Sequence, residues 1–194
     1  LGLHDLDAGM RQIDARSSRS SRAVRIQTAL MPAMLAWLAD GPSPDHGLLA
    51  FRQVSEALGE SPWYLRALRD EGAMAQRLAV VLSTSRYAVD VLTRSPESVQ
   101  VLVDDDLTPL SREDLARQMN AVARRHHDVE EAVGAIRAVR RRELFRILVA
   151  DILNVTGIRR IGQALTDLTG ATIDAASVSD TPLRPHEPLS VLVS

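Results

Sequence analysis

The best candidates for metal binding or catalysis in this chain are three consecutive aspartates, Asp104, Asp105 and Asp106. They contain an Asp-x-Asp pair, the spacing that puts two carboxylates on one side of a strand, where they can hold magnesium ions for phosphoryl or nucleotidyl transfer. Here no Gly-Ser turn precedes the pair, the preceding residues have a helical pattern, and Thr108-Pro109 follow closely. We therefore predict a solvated turn between helices rather than a metal site.

Two adjacent histidines, His126 and His127, are the second candidate. Neighbours in sequence point about 100° apart on a helix, so they cannot chelate one metal as an i, i+4 pair can. Structural or surface histidines are the favoured interpretation. The sequence has no cysteine, and no Ser-His-Asp set, phosphate-binding loop or Gly-rich dinucleotide turn is recognisable in it. We therefore assign no catalytic, cofactor-binding or metal-ligating residue to this chain.

Arginine is the only basic residue apart from histidine, and it crowds one stretch, residues 137–146, near Glu143 and Asp151. A solvated face neutralised by carboxylates at helical spacing is the favoured interpretation, and in any case we expect these side chains to stay out of the core. The second interpretation is a docking surface for an acidic partner or a second domain, because arginine suits desolvated ion pairs. Nucleic acid is the least favoured partner. The set, called the arginine belt below, consists of Arg137, Arg140, Arg141, Arg142 and Arg146.

The composition narrows the class of protein. The chain has 194 residues, 45% of them hydrophobic, and a formal net charge of -2, which argues against nonspecific nucleic-acid binding. Its apolar runs are far shorter than the ~20 residues that cross a bilayer, and no charged-then-apolar leader opens the chain. We expect a soluble, cytoplasmic protein with no membrane partner. Because the chain opens on Leu1 rather than Met, we also expect it to be a piece of something longer.

The elements that must position these residues are helices. Glycine and proline are sparse within long stretches rich in Ala, Leu, Arg and Glu, and apolar residues recur at helical spacing. We predict an all-α fold, an irregular bundle of short capped helices plus one long helix, with a short strand-like C-terminal end. Residues 1–41 would be connecting helices, 42–176 the helical bundle, and 177–194 a loop and a truncated strand at Leu189 to Val193.

Capping residues mark where the helices begin. Ser61-Pro62 and Ser95-Pro96 each combine a hydroxyl at the cap with proline at the first helical position, and Ser85 is a further cap. Ser111 with Asp114 three residues later resembles a capping box. These signals predict several short helices joined by tight turns.

The longest helical pattern covers about forty residues, from Leu115 to Ile152. It has one possible break at His126-His127-Asp128, where Asp128 and Glu131 could form a new N-terminal box.

The ordered string of these features resembles one family, the bifunctional glutamine synthetase adenylyltransferase/adenylyl-removing enzymes. The resemblance covers the whole chain, although Thr169-Gly170 stand where members often have Leu-Ala. The matching pieces are Leu1 to Asp5, Arg22 to Leu30 with Pro32, Pro44-Asp45 with Leu48-Leu49, Trp63 to Leu65 with Leu68-Arg69 and, most specifically, Leu82 to Tyr87, Leu92, Arg94 to Glu97, Arg141 to Ile147, Asp151 to Leu153 and Ala164 to Leu168.

The resemblance implies that this is the central helical region of a two-domain nucleotidyltransferase, leading into its adenylylating domain. The parent would transfer AMP from ATP to a tyrosine of glutamine synthetase, using magnesium, and remove it by phosphorolysis, thereby regulating nitrogen assimilation. The resemblance also implies that Leu189 to Val193 is the truncated first strand of that downstream nucleotidyltransferase domain. The family's catalytic Gly-Ser and paired aspartates lie downstream of such a strand, so no catalytic residue and no cofactor is assigned to this chain. Partners would be glutamine synthetase and the neighbouring catalytic domains.

Two alternatives to an inactive helical spacer remain. The segment could be a regulatory module that binds the PII signalling protein or glutamine, because a central region is a natural place to couple two sites. It could also be a free-standing helical adaptor.

Overall fold

The computed structural model of this chain describes residues 29–58, 61–70 and 72–179. Within these ranges the regular structure is entirely helical, which confirms the all-α prediction. Helix α1 covers 29–39. The helices that follow are α2 (Pro44–Leu58), α3 (Pro62–Asp70), α4 (Gly72–Thr84), α5 (Arg86–Arg94), a 3₁₀ helix (Pro96–Val103), α6 (Arg112–Ala123), α7 (Val129–Ile152) and α8 (Ile158–Ser179).

The C-terminal boundary differs from the prediction. Helix α8 continues to Ser179, so residues 177–179 are helical rather than part of a loop. The predicted strand at Leu189 to Val193 and the segment 1–28 lie outside the described residues.

Local capping chemistry decides where several helices begin. Ser85, Ser111 and Asp128 each accept a hydrogen bond from the backbone N–H three residues further along the chain. These bonds satisfy N–H groups that have no partner within the helix. The predicted break is confirmed, because α6 ends at Ala123 and α7 begins at Val129 after the Asp128 cap.

Two hydrophobic cores form, and α7 belongs to both. Helices α1 to α5 and the 3₁₀ helix enclose the first core, to which α7 contributes Phe145 and Val149. Helices α6 and α8 enclose the second core with Ile136 and Ile147 of α7. Residues 145 and 147 point about 200° apart on a helix, so α7 is apolar on opposite faces. The helix therefore ties the two halves of the bundle together.

Helix α2 approaches α1 and α4 closely at Gly47. A Cβ atom there would lie 2.7 Å from Leu38 Cδ2 and 3.0 Å from Ser83 Cβ. Met34 and Leu38 are fully buried in the first core. The described part of the predicted connecting segment, residues 29–41, therefore packs into the bundle.

Candidate functional site

The aspartate loop lies between the 3₁₀ helix and α6, where it is held against α7 by one buried side chain. Arg146 is 7% exposed. Its Nη2 donates a hydrogen bond to Asp104 Oδ2 at 2.5 Å, and its Nη1 donates to the carbonyl oxygen of Asp106 at 3.0 Å. The turn between helices that we predicted is present, but it is anchored to the interior rather than simply solvated.

Glu143 lies one turn before Arg146 on α7 and completes this arrangement, called the Arg146 cluster below (Arg146, Asp104 and Glu143). Its Oε1 accepts a hydrogen bond from the backbone N–H of Leu110 at 2.7 Å. Its Oε2 lies 3.4 Å from Arg146 Nε, within ion-pair distance, although that N–H makes no hydrogen bond. Glu143 is only 3% exposed, and this burial raises its pKa to about 7 despite the neighbouring guanidinium.

A second arginine binds the carbonyl groups at the C-terminal end of the 3₁₀ helix. Nη1 of the half-buried Arg77, on α4, donates to the carbonyl oxygens of Leu102 and Asp104, both at 2.9 Å. The last carbonyls of a helix lack intrahelical partners and carry partial negative charge, which a guanidinium complements. The aspartate loop is thus fixed from two sides, by α4 and by α7.

The arginine belt divides into members with different environments. Arg146 is buried, so the expectation that the whole belt stays out of the core is wrong for this residue. Its charge is tolerated because two carboxylates and a loop carbonyl surround it. Arg141 is half-buried and donates from Nε to Ser95 Oγ at 2.7 Å, whereas Arg137, Arg140 and Arg142 are exposed.

Ser95 therefore has a role that the sequence did not reveal. We predicted that it caps the 3₁₀ helix, but its hydroxyl makes no capping bond there and instead accepts the bond from Arg141. The Ser-Pro pair predicted the start of the helix correctly, whereas the contact with α7 spans 46 positions and leaves no local pattern.

The carboxylates of the aspartate loop do not converge as metal ligands. Asp104 pairs with Arg146, and Oδ1 of Asp106 accepts from the backbone N–H of Thr108 at 2.8 Å and from its hydroxyl. These bonds lower the pKa of Asp106, with a further contribution from Arg146. Throughout 29–58, 61–70 and 72–179, no three potential ligands among His, Asp and Glu cluster around one point.

The two histidines follow α6 and lie on the surface, as favoured from the sequence. Nδ1 of His126 lies 3.2 Å from Oε2 of Glu131, close to the cap of α7. His126 thus contacts the first turn of α7.

Across the part of the chain that the structure describes, no helix is both long and apolar enough to pass through a membrane.

Comparisons with known proteins place these features in a family. The family model described as glutamate-ammonia ligase adenylyltransferase matches residues 75–181. Over 176 residues the chain is 93% identical to the bifunctional glutamine synthetase adenylyltransferase/adenylyl-removing enzyme of Cutibacterium acnes, covering 91% of this chain and 18% of that relative. The enzyme of the same name from Streptomyces coelicolor is 46% identical over 89% of this chain and 19% of its own length.

A third relative with this name, from Mycobacterium tuberculosis, is 39% identical over 91% of this chain and 18% of its own length. The chain thus spans about a fifth of the length of the curated relatives it matches. No solved structure matches it.

Proposed function

This chain belongs to the glutamate-ammonia ligase adenylyltransferase family, and we propose that it is a non-catalytic helical segment of an enzyme that adenylylates and deadenylylates glutamine synthetase. The match to the bifunctional enzymes across nine-tenths of the chain carries this proposal. The parent would transfer AMP from ATP to a tyrosine hydroxyl and remove it by phosphorolysis, thereby regulating nitrogen assimilation. Both reactions would take place in parts of the parent outside this segment.

The residues that the structure describes do not fit a magnesium-nucleotide site. Such a site needs free carboxylate oxygens aimed at one point, together with groups that hold the phosphates. Asp104 is paired with Arg146, and Asp106 is bonded to Thr108. We therefore place Mg²⁺ and ATP in other domains of the parent and assign them no residue of this chain.

The role that suits the described residues is that of a rigid spacer between neighbouring catalytic domains. Helix α7 contributes side chains to both cores, so the two halves of the bundle cannot separate without exposing apolar surface. The Arg146 cluster fixes the longest irregular connection in the described bundle, the loop at 104–111, to the same helix. A spacer of this kind would hold two active sites at a constant separation.

The exposed members of the arginine belt suit contact with an acidic surface. Arg137, Arg140 and Arg142 make no ion pair within the described residues, whereas Arg52 and Arg69 on other helices each pair with a neighbouring carboxylate. Because an exposed guanidinium can form bidentate bonds with a carboxylate, we propose that this surface contacts glutamine synthetase or an adjoining catalytic domain.

An assay for AMP transfer tests the proposal. The purified 194-residue chain, incubated with glutamine synthetase, Mg²⁺ and labelled ATP, should transfer no label, whereas the full-length enzyme should. In the full-length enzyme, the double substitution Arg137→Glu/Arg140→Glu should slow transfer. Label transferred by the isolated chain would contradict the non-catalytic role, and an unchanged rate in the double variant would contradict the docking role.

The same exposed arginines also support a second candidate function, a regulatory module for the PII signalling protein. Titration of the chain with purified PII distinguishes the two functions. Saturable binding that the Arg137→Glu/Arg140→Glu variant loses would favour the regulatory module, and a spacer should show none.

A further inference from the structure

Helix α8 carries an apolar stripe on a face that points toward solvent. Ile158, Leu165 and Ile173 are 78%, 42% and 60% exposed. At 100° per residue, these three positions, called the α8 stripe below, lie within an arc of about 80°. The other residues within this arc are uncharged, namely Gly162, Thr169 and Ala176. A contiguous apolar surface of this kind marks an interaction site.

The stripe lies at the edge of α8 that is turned away from α6. Arg112, at the start of α6, pairs with Asp174, which therefore marks the α6 side of α8. Going round α8 from Asp174, the face buried in the second core lies between about 60° and 140°. The stripe lies beyond that face, between about 180° and 260°.

Two exposed arginines lie at the corresponding edge of α7. Glu143 marks the α6 side of α7, because it accepts a hydrogen bond from Leu110 in the loop that leads into α6. Going round α7 from Glu143, the second-core positions 136 and 147 lie at about 20° and 40°. Arg140 and Arg137 lie beyond them, at about 60° and 120°. The arginines and the stripe are therefore on the same side of the α7–α8 pair.

The arginines are also level with the stripe along the helix axes. The short connection at 153–157 makes α7 and α8 antiparallel neighbours that share the second core. Arg137 lies 15 residues before Ile152, where α7 ends, and Ile173 lies 15 residues after Ile158, where α8 begins. Residues 137 and 173 thus stand at the same height, and by the same count Arg140 is level with residue 170. The outer groove between the two helices is apolar along α8 and cationic along α7.

We propose that this groove, formed by the α8 stripe with Arg137 and Arg140, is the docking site for an amphipathic acidic helix of a partner protein. A helix lying between two packed helices buries one face. Its apolar residues would pack on Leu165 and Ile173, and its carboxylates would form charge-assisted hydrogen bonds with the two exposed arginines. The inference deepens the docking role proposed above for these arginines, and its link to the parent enzyme rests on that role.

Charge and composition favour this occupant over two others. In a two-fold dimer both subunits contribute the same patch, so each copy would bring the same two arginines to the interface, where like charges are unfavourable. An anionic membrane would meet a stripe of three aliphatic side chains on a helix that has no Trp or Phe, the residues with which membrane-surface helices insert. An acidic helix neutralises the arginines and covers the stripe together.

Two labelled peptides test the proposal on the purified 194-residue chain. One is a synthetic helix of about five turns, with leucines at i, i+3, i+4 and i+7 spacing and glutamates beside them. The other contains the same residues in scrambled order. Fluorescence anisotropy should show saturable binding of the patterned peptide, at least about tenfold tighter than that of the scrambled one. Equal binding of the two peptides, or no binding of either, would overturn the proposal.

Substitutions locate the binding site. Ile173→Ser and Arg140→Ser should each weaken binding of the patterned peptide by about five- to tenfold. Gln163→Ser, at an exposed position of α8 outside the stripe, is the matched control and should leave binding unchanged. All three side chains are exposed, and circular dichroism melts verify that the variants stay folded. Binding that Ile173→Ser leaves intact would overturn the proposal.

The same variants identify other occupants. A dimer in sedimentation velocity that Ile173→Ser abolishes would overturn the proposal and identify a second copy of the chain. Co-sedimentation with vesicles of phosphatidylcholine and phosphatidylserine that Ile173→Ser abolishes would also overturn it and identify an anionic membrane.

The full-length enzyme separates this inference from the proposed function. If Arg137→Glu/Arg140→Glu leaves AMP transfer unchanged while the isolated chain binds the patterned peptide at the groove, the docking role in the parent fails and the groove stands. If that variant slows transfer but Ile173→Ser changes neither transfer nor peptide binding, the docking role stands and the groove is overturned.

Discussion

Arg146 Nη2 and Asp104 Oδ2 lie 2.5 Å apart, although the two residues are 42 positions apart in the chain. The arginine comes from the helix that joins both cores, and the aspartate begins the loop between the 3₁₀ helix and α6. The side chain of Arg146 is 8% exposed and that of Asp104 is 39% exposed. The pair therefore reaches from the interior to the surface and anchors one end of the loop, while Glu143 holds the other end through Leu110.

Arg146→Ala should strongly destabilise the chain. The substitution leaves Glu143 as a buried carboxylate without its cation and releases the carbonyl of Asp106, and breaking a buried ion pair in this way costs about 3 to 5 kcal/mol. Urea unfolding followed by circular dichroism measures the loss. Arg137→Ala, at an exposed arginine of the same helix, is the control and should change the free energy of unfolding by less than about 0.5 kcal/mol. Similar small losses in both variants would refute the role of the cluster.

The stability of the chain should depend on pH through Glu143. Its carboxyl titrates near 4.5 in the unfolded chain and near 7 in the folded one, so the folded state binds more protons between these values. The free energy of unfolding should therefore fall as pH rises from about 4.5 to about 7, by up to about 3 kcal/mol.

Urea midpoints measured across this pH range test that dependence, with Glu143→Gln as the control that removes the titrating group. The pKa values of Asp70, Asp106 and Asp114 are lowered by hydrogen bonds, so their contributions change below this window. If wild type and Glu143→Gln show the same slope between pH 4.5 and 7, the assignment to Glu143 is wrong.

Two glycines in helices should respond to alanine in opposite directions. At Gly47 the new Cβ would lie 2.7 Å from Leu38 Cδ2 and 3.1 Å from the backbone Cα of Ser83, so Gly47→Ala should destabilise the chain by about 1 to 3 kcal/mol through overpacking. At Gly134 nothing lies within 4 Å, so alanine should stabilise α7 by about 1 kcal/mol. Thermal melts of the two variants compare them directly, and a stabilised Gly47→Ala would show that α2 and α4 are not in close contact.

The arginine belt should separate into structural and surface members. Arg141→Glu should lower the melting temperature, because it removes the bond to the buried Ser95 and places a carboxylate beside that hydroxyl. Arg137→Glu/Arg140→Glu should leave the melting temperature unchanged, since both side chains are exposed. Differential scanning calorimetry of the isolated chain measures both effects. Equal melting temperatures for the two variants would argue against a structural role for Arg141.

Local sequence patterns were enough to establish the fold class, the caps at Ser85, Ser111 and Asp128, and the break before α7. They were enough because helix periodicity and capping act between residues three or four positions apart. The prediction of a turn at Asp104 to Asp106 also rested on local sequence, because the evidence for it came from the adjacent residues. No single motif indicated a family. The resemblance to one did, because it rested on the order of many such signals along the chain.

Which charged residues enter the interior became clear only from the packing of the helices. Arg137 and Arg146 are the same residue type on the same helix, yet one is exposed and the other is buried among Asp104 and Glu143. The ion pair with Asp104 and the bond between Arg141 and Ser95 join residues more than forty positions apart. Whether a charge can be buried depends on partners that come within reach only when distant helices pack together.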